Sequence, residues 1–423
     1  LQDPDLAFVT YMNRMIKHVE WSKATNGGAK VAAMLDSLPA EKRSQVEKIL
    51  KAYLGYQDTA MSPLWRTVNS WGQFIQFITI LPFAAIASLP DLAGPIINAK
   101  ELGGLSSGFK ELIATFTNRE EAIQFARDVG VNSSETVANA WVTQAEMDYM
   151  DPAIRNMSDT FFRYIGLDWF TKFSREFAAR MGNTFILRHS ERALGGNELS
   201  ARYLSDLGLT AKEVQTWYSG GQKFNDETGR KVQNALQRFV ESSVLRPNAA
   251  ERPVWASDPH FALIWQLKSY FYAYWKTIMG GVLREGRQRN KELKGKEQGM
   301  AVGSLLMLTA VATMPLAMLG GEAREYAKYG LAWLLPGIDP KEQYFRSERM
   351  DWGEYMFEIT DRSGFLGPFS MLQMANNKAD WGGSPFSAIL GPTAETIDLA
   401  MRNGWNVGKT VGDRLVPGYS ILR

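Results

Sequence analysis

The sequence predicts an all-α fold, and three observations lead to this prediction. Apolar residues recur at intervals of three and four along nearly every segment, which is typical of amphipathic helices. Runs of β-branched residues bounded by Asn-Gly or Asp-Gly turns, which mark strands and hairpins, are missing from the sequence. The 423 residues are 12% aromatic and only 22% charged, which is too apolar for a disordered chain. We therefore expect an elongated assembly of many helices.

Helix signals follow one another through the first half of the chain. Apolar residues recur at helical spacing over 5–19. Pro39 stands where a helix begins, and an apolar stripe continues from there to Leu54. A second start signal at 117–121 precedes an apolar stripe that reaches Val129. Over 159–185, aromatic residues recur at helical spacing among cations, which again predicts helix.

The segment 67–90 carries no charged residue, but Gln73 and Gln76 interrupt it and Pro82 stands within it. Proline ends or kinks a helix because it lacks a backbone N–H and clashes with the preceding turn. We therefore predict a pair of core helices split at Pro82. A kinked, re-entrant or interfacial membrane segment is the alternative.

A second uncharged segment, 301–321, contains 21 residues without a charge. At 1.5 Å per residue, such a helix crosses a hydrocarbon core of about 30 Å. The sequence favours a membrane-inserting helix, with a deeply buried core helix as the alternative. The residues predicted to insert are Leu305, Leu306, Leu308, Val311 and Leu316.

A basic stretch precedes this segment. Residues 284–297 contain six cations and three anions, a surplus of three positive charges that favours the cytoplasmic side of a membrane. The predicted basic collar, facing the cytoplasm or phosphate groups, comprises Arg284, Arg287, Arg289 and Lys291.

An aromatic-rich stretch predicts a further helix over 258–283, with Asp258 as a cap before Pro259. Its predicted interfacial belt comprises Trp265, Tyr270, Tyr274 and Trp275. Such rings suit a membrane interface, stack on nucleic-acid bases, or pack against other helices. The sequence leaves these three environments open.

The composition excludes several classes of function. The absence of Cys excludes disulfides, thiolate metal sites and a Cys nucleophile, and three His residues nearly exclude a His-rich metal site. A net charge of +2 gives no global field toward nucleic acid or anionic lipid. The phosphate-loop, His-Glu-x-x-His and Gly-x-Ser-x-Gly motifs are absent from the sequence. We expect a protein that is not an enzyme, with no catalytic residue, no cofactor and no metal.

The pattern of elements suggests three regions. These are an N-terminal helical region at 1–116, a central helical domain at 117–245, and a helical module at 246–423. Because the chain begins with Leu1 rather than Met, we expect it to be part of a longer polypeptide.

The run 246–285, RPNAAERPVWASDPHFALIWQLKSYFYAYWKTIMGGVLRE, resembles the large polyvalent-protein-associated domain of tailed phages and prophages. The shared features are an Arg-Pro…Arg-Pro linker, a Trp-Ala-Ser-Asp-Pro turn and a Gln-Leu-Lys-Ser-Tyr aromatic helix. The apolar segment 301–321 and the tail 414–418 are also similar to this family. The resemblance covers about 185–423.

The resemblance implies an internal virion (ejection) protein, as found in short-tailed phages. Such a protein is packaged inside the capsid, is delivered with the genome, and then lies in the host periplasm and inner membrane. The implied partners are further copies of the chain, other ejection proteins, the host inner membrane, and double-stranded DNA that passes without sequence-specific contacts. The resemblance offers no catalytic residue.

Two other functions stay open at this point. One is a non-catalytic helical domain of a large injected phage enzyme, such as a virion polymerase or a transglycosylase. The other is a capsid-internal core or scaffold protein that never meets a membrane, in which 301–321 would be buried between subunits.

Overall fold

The computed structural model describes residues 15, 18–19, 21–54, 61–101, 103–131, 150–244, 253–265, 272–292, 296–334, 350–363, 401 and 404. Every regular element within these residues is helical, which confirms the predicted all-α class. The α-helices are α1 Ala29–Asp36, α2 Ala40–Leu54, α3 Pro63–Ile80, α4 Ala84–Ala87, α5 Ala93–Asn98, α6 Gly104–Thr117, α7 Arg119–Val129, α8 Pro152–Tyr164, α9 Leu167–Leu194, α10 Glu198–Asp206, α11 Ala211–Ser219, α12 Glu227–Ser243, α13 Ala262–Trp265, α14 Gly280–Glu292, α15 Lys296–Leu334 and α16 Trp352–Arg362. Short 3₁₀ helices occupy Leu89–Leu92, Val254–Ser257 and Pro259–Phe261, and a π-helix occupies Trp275–Met279.

Helix α9 forms the centre of the main core. It is 28 residues long, and Phe177, Ala178 and Ile186 are completely buried on different sides of it. Helices α6, α7, α10, α11 and α12 pack around it. A helix that is surrounded by protein needs apolar residues on all faces, so it shows no single apolar stripe.

The same core cluster extends into the later part of the chain. It joins Ile96 of α5 and Leu236 of α12 to Tyr274 and to Leu305 of α15. One side of α15 therefore packs onto the core built around α9. The predicted region boundaries near 116 and 245 stay predictions.

Most of the predicted helix starts are found in the described residues. Helix α2 follows Pro39, and α7 begins at Arg119 within the predicted start signal. The predicted helix over 159–185 is instead divided between α8 and α9. Gly166 separates them with a left-handed φ of 78°, a conformation that glycine adopts without steric cost. The helix predicted over 5–19 lies almost entirely outside the described residues.

The predicted split of segment 67–90 is confirmed. Helix α3 ends at Ile80, and α4 begins two residues after Pro82. The 3₁₀ helix Leu89–Leu92 then leads directly into α5.

The stretch 258–283 is less regular than the predicted single helix. Its described residues change from 3₁₀ helix to α13, and then from the π-helix to α14. Helix α15, in contrast, is longer than the predicted 301–321. It has 39 residues and continues through Pro315.

Candidate membrane-contact surface and basic cluster

Helix α15 carries an apolar face that is exposed among the described residues. Within the described ranges, its stretch Val302–Gly330 is the one that is long and apolar enough to cross a membrane. Met307 and Leu319 are 59% and 58% exposed, and Val311 and Met318 are also exposed. These four residues are called the outer face of α15.

The opposite face of α15 belongs to the core. Leu305, Leu308 and Leu316, three of the five residues predicted to insert, are buried there. Leu306 packs partly against the core, and Val311 lies on the outer face. The sequence therefore singled out residues on both sides of the helix, and lipid contact by all five stays a prediction. Met307, Met318 and Leu319, which the sequence did not single out, complete the outer face.

A glycine allows α15 to lie close to the rest of the molecule. A Cβ atom added at Gly320 would lie 2.9 Å from the backbone carbonyl oxygen of Ile86 in α4. Real Cβ atoms essentially never come this close to a backbone atom. Because it lacks a side chain, Gly320 allows the end of the uncharged segment to lie against α4.

The three described residues of the predicted aromatic belt are engaged in protein packing. The ring of Trp265 lies edge-on to the rings of Trp255 and Tyr272, with centroids 5.4 and 5.6 Å away. Trp265 and Tyr274 are buried, and Trp275 packs partly buried against the core. Tyr270 lies outside the described residues. In this structure the described rings pack against protein. A role of the belt at a membrane interface stays a prediction.

The four residues of the predicted basic collar have different surroundings. Arg284 and Arg287 are exposed on α14 and are available to anionic groups outside the protein. Lys291 belongs to the same helix, but its side chain lies outside the described part. Arg289 is largely buried and donates from Nε to the Glu285 carboxylate at 2.9 Å. Arg289 therefore has an internal partner.

Glu285 is the centre of a buried ionic cluster. Its carboxylate accepts hydrogen bonds from Arg202 at 2.6 Å and from the Tyr203 hydroxyl at 2.7 Å. The Lys100 ammonium lies 3.8 Å from the same carboxylate. Arg289 donates further to the Tyr203 hydroxyl and to the Lys100 carbonyl oxygen. We call these five residues the Glu285 cluster.

The cluster changes the protonation behaviour of its members. Burial alone would raise the pKa of Glu285, but hydrogen bonds from Tyr203 and Arg289 and the charges of Lys100 and Arg202 outweigh it. The pKa of Glu285 is therefore lowered. Burial and the Glu285 carboxylate raise the pKa of Tyr203, which keeps its hydroxyl protonated as a donor. Burial lowers the pKa of Lys100. The cluster is an ionised network in the interior.

No sequence pattern indicates this cluster, apart from the cations of α14. Arg202 and Tyr203 lie 83 and 82 residues before Glu285. The folded chain brings these side chains together through their hydrogen bonds to Glu285, and no local pattern encodes that contact. The charge surplus in 284–297 and the i,i+4 spacing of Glu285 and Arg289 can be read from the sequence, but the contacts with Arg202 and Tyr203 cannot.

Comparison of the chain with protein-family models, curated proteins and solved structures found no match. Within the part of the chain that the structure describes, no group of three or more His, Asp or Glu residues is arranged to hold a metal ion.

Proposed function

We propose that this chain is an internal virion (ejection) protein of a tailed phage, delivered with the genome and able to contact the host inner membrane through α15. In this proposal, copies of the chain assemble with other ejection proteins into a conduit across the host envelope. Double-stranded DNA passes through without sequence-specific contacts. The observation that carries the proposal is the open apolar face of α15.

The energetics of α15 favour a partner for this face. A helix in the core of a soluble protein is mostly buried, whereas 39% of the most apolar stretch of α15 is buried. Burying a large apolar side chain gains about 1.5–3 kcal/mol. Because the four outer-face residues are already partly covered, their transfer into lipid gains on the order of 4 kcal/mol in total.

The residues before α15 support an orientation. Arg284 and Arg287 are exposed on α14, which packs along α15. Cations beside an inserted helix prefer the cytoplasmic side, where lipid headgroups are anionic. We propose that these two arginines face headgroup phosphates, while Arg289 holds α14 to the core through the Tyr203 hydroxyl and the Lys100 carbonyl oxygen.

Other properties of the chain are compatible with delivery through a phage tail. The resemblance of 246–285 to the polyvalent-protein-associated domain supports a virion protein. A chain without Cys needs no oxidative step to refold. Helices rich in local contacts fold faster than sheets with distant pairings. We propose that the chain is not an enzyme and resides first inside the capsid, then in the periplasm and inner membrane.

Release of vesicle contents tests the conduit. The chain is added to vesicles that contain a small dye and a short fluorescent DNA duplex. We expect release of both, and loss of release in Met307→Arg/Val311→Arg, which places two charges on the outer face of α15. The control Met34→Arg/Leu194→Arg adds the same charges at exposed apolar positions of α1 and α9 and should release like the wild type.

Retention of both cargoes by vesicles that bind the chain would contradict the conduit.

The alternative of a capsid-internal core protein makes a different prediction for the same variant. If subunits cover the outer face of α15, Met307→Arg/Val311→Arg should reduce oligomer size in the absence of lipid. The aromatic belt, which is packed within protein, is compatible with that alternative. Sedimentation velocity of the wild type and of Met307→Arg/Val311→Arg without lipid measures the oligomer size, and it distinguishes the core protein from the membrane conduit.

A further inference from the structure

Helix α3 turns polar side chains toward the protein interior and large apolar side chains toward the outside. Its side chains of Asn69, Gln73 and Gln76 are 3%, 1% and 7% exposed, whereas Leu64 and Val68 are 77% and 49% exposed. Helices on the surface of a protein in water normally show the opposite arrangement, with polar residues outside.

The exposed residues form one continuous row along the helix. They follow one another at intervals of four, three, four and three residues, which keeps them on one face at 3.6 residues per turn. The outer stripe of α3 consists of Leu64, Val68, Trp71, Ile75 and Ile78. Leu64, Val68 and Trp71 are exposed, and Ile75 and Ile78 are half-buried.

Contacts on the opposite face fix the rotation of α3. The backbone N–H of Asp151, at the start of α8, donates to the buried Ser70 hydroxyl at 2.8 Å. The ring of Phe77 meets that of Phe162 in α8 with centroids 5.0 Å apart. On a neighbouring side, Leu263 of α13 packs against Gly72, where a Cβ atom would lie 3.1 Å from its side chain. The helix is therefore held with its polar residues inward.

Reversed polarity has a physical explanation if the outside is apolar. Buried polar groups need hydrogen-bond partners in any environment, and in lipid the protein interior is where they find them. Apolar side chains on the outside that face lipid are not exposed to water, so they lose no hydrophobic stabilisation. In water alone, the exposed row of large side chains gives up the free energy that its burial would provide.

We propose that the outer stripe of α3 docks onto the surface of a phospholipid bilayer, with α3 lying in the plane of the interface. Three features favour lipid over a protein partner. The sequence of α3 contains no acidic residue that would repel anionic headgroups, and its single charged residue, Arg66, is exposed in the first turn, away from the outer stripe. Trp65 and Trp71 are 47% and 45% exposed, and the amphipathic indole suits the headgroup boundary.

The third feature is the buried polar face itself. Asn69, Gln73 and Gln76 prevent an 18-residue helix from crossing the bilayer as a single apolar span. With these residues on one side and apolar residues on the other, α3 has the pattern of an interfacial helix. This contact goes beyond the proposed function because it rests on α3 alone and does not require insertion of α15.

Single-cysteine labelling tests the docking, since the chain contains no Cys. The variant Val68→Cys places an environment-sensitive nitrobenzoxadiazole fluorophore on the outer stripe. Val311→Cys reports α15, and Gln215→Cys, exposed on α11, is the matched control. The labelled chains are mixed with vesicles of phosphatidylcholine and phosphatidylglycerol, with and without nitroxide-labelled lipid. Circular dichroism checks that each variant is folded.

We expect the label at position 68 to shift its emission to the blue on addition of vesicles. Nitroxides near the headgroup should quench it at least twofold, and more strongly than nitroxides deep in the acyl chains. The label at 215 should show neither effect. A response at 68 without one at 311 supports docking of α3 and contradicts insertion of α15.

Three results would overturn the inference. The first is a label at 68 that does not respond to vesicles, whatever happens at 311. The second is equal quenching at 68 and 215. The third is a blue shift without lipid that grows with protein concentration, because it would show that a second copy of the chain covers the stripe.

Discussion

Glu285 illustrates how single residues fix the position of the apolar helix. Its carboxylate joins Lys100, which follows α5, to Arg202 and Tyr203 of α10, and all three contacts hold α14. Helix α14 in turn packs along α15. The cluster therefore connects the core around α9 to the start of the proposed membrane helix.

Replacing Glu285 by Gln tests this role. The amide removes the charge that compensates Arg202 and Arg289 while keeping the size of the side chain. Breaking a buried ion pair typically costs about 3–5 kcal/mol, and we expect a loss of this size in the free energy of unfolding from urea titration. The control Glu227→Gln removes an exposed carboxylate that is 89% accessible and 3.6 Å from Lys231. It should change stability by less than about 1 kcal/mol.

The same pair of variants has an expected pH dependence. Because the folded protein lowers the pKa of Glu285, this group contributes stability above its unfolded pKa, and the contribution disappears as the pH falls through the folded pKa. Stability of the wild type should therefore decline on acidification more steeply than that of Glu285→Gln. Equal costs for the two Gln variants at neutral pH would contradict the structural role of the cluster.

At the scale of elements, the close approach of α15 to α4 depends on one glycine. In Gly320→Ala the new methyl group meets the Ile86 carbonyl oxygen, so the helices must separate. We expect the free energy of unfolding to fall by about 1–3 kcal/mol, measured by urea titration. In the control Gly303→Ala the added Cβ meets no atom within 4 Å.

The control should be neutral or stabilising, because alanine favours a helix over glycine by up to about 1 kcal/mol. If both alanine variants behave alike, the packing of α15 on α4 does not depend on Gly320. If Gly320→Ala destabilises alone, the inner face of α15 is held against protein as described.

The two apolar segments show what element patterns can and cannot predict. The lack of charge over 301–321 was enough to predict the helix, but both faces of α15 are apolar. Leu308 and Val311 are both aliphatic, so the pattern does not show that Leu308 is buried and Val311 exposed. In 67–90, Gln73 and Gln76 favoured a core helix interrupted by polar residues. The rotation that buries Gln73 and Gln76 does not follow from the pattern, because amphipathic helices usually place their polar residues in water.

At the scale of the whole molecule, helical periodicity and the absence of hairpin signals were sufficient for the fold class. The order and approximate bounds of α2 and α7 also follow from local start signals. The core around α9 and the Glu285 cluster could not be predicted, since they join residues far apart in sequence. The division at Gly166 was missed because the aromatic spacing continues on both sides of it.

Membrane insertion of α15 is the central claim, and liposome flotation followed by alkaline carbonate extraction tests it most directly. Carbonate removes proteins that are held only at the surface, so docking of α3 alone does not give a resistant fraction. We predict that the wild type and Met34→Arg/Leu194→Arg float and resist extraction, whereas Met307→Arg/Val311→Arg remains folded but is extracted. Equal resistance of the two double variants, or complete extraction of the wild type, would contradict insertion of α15.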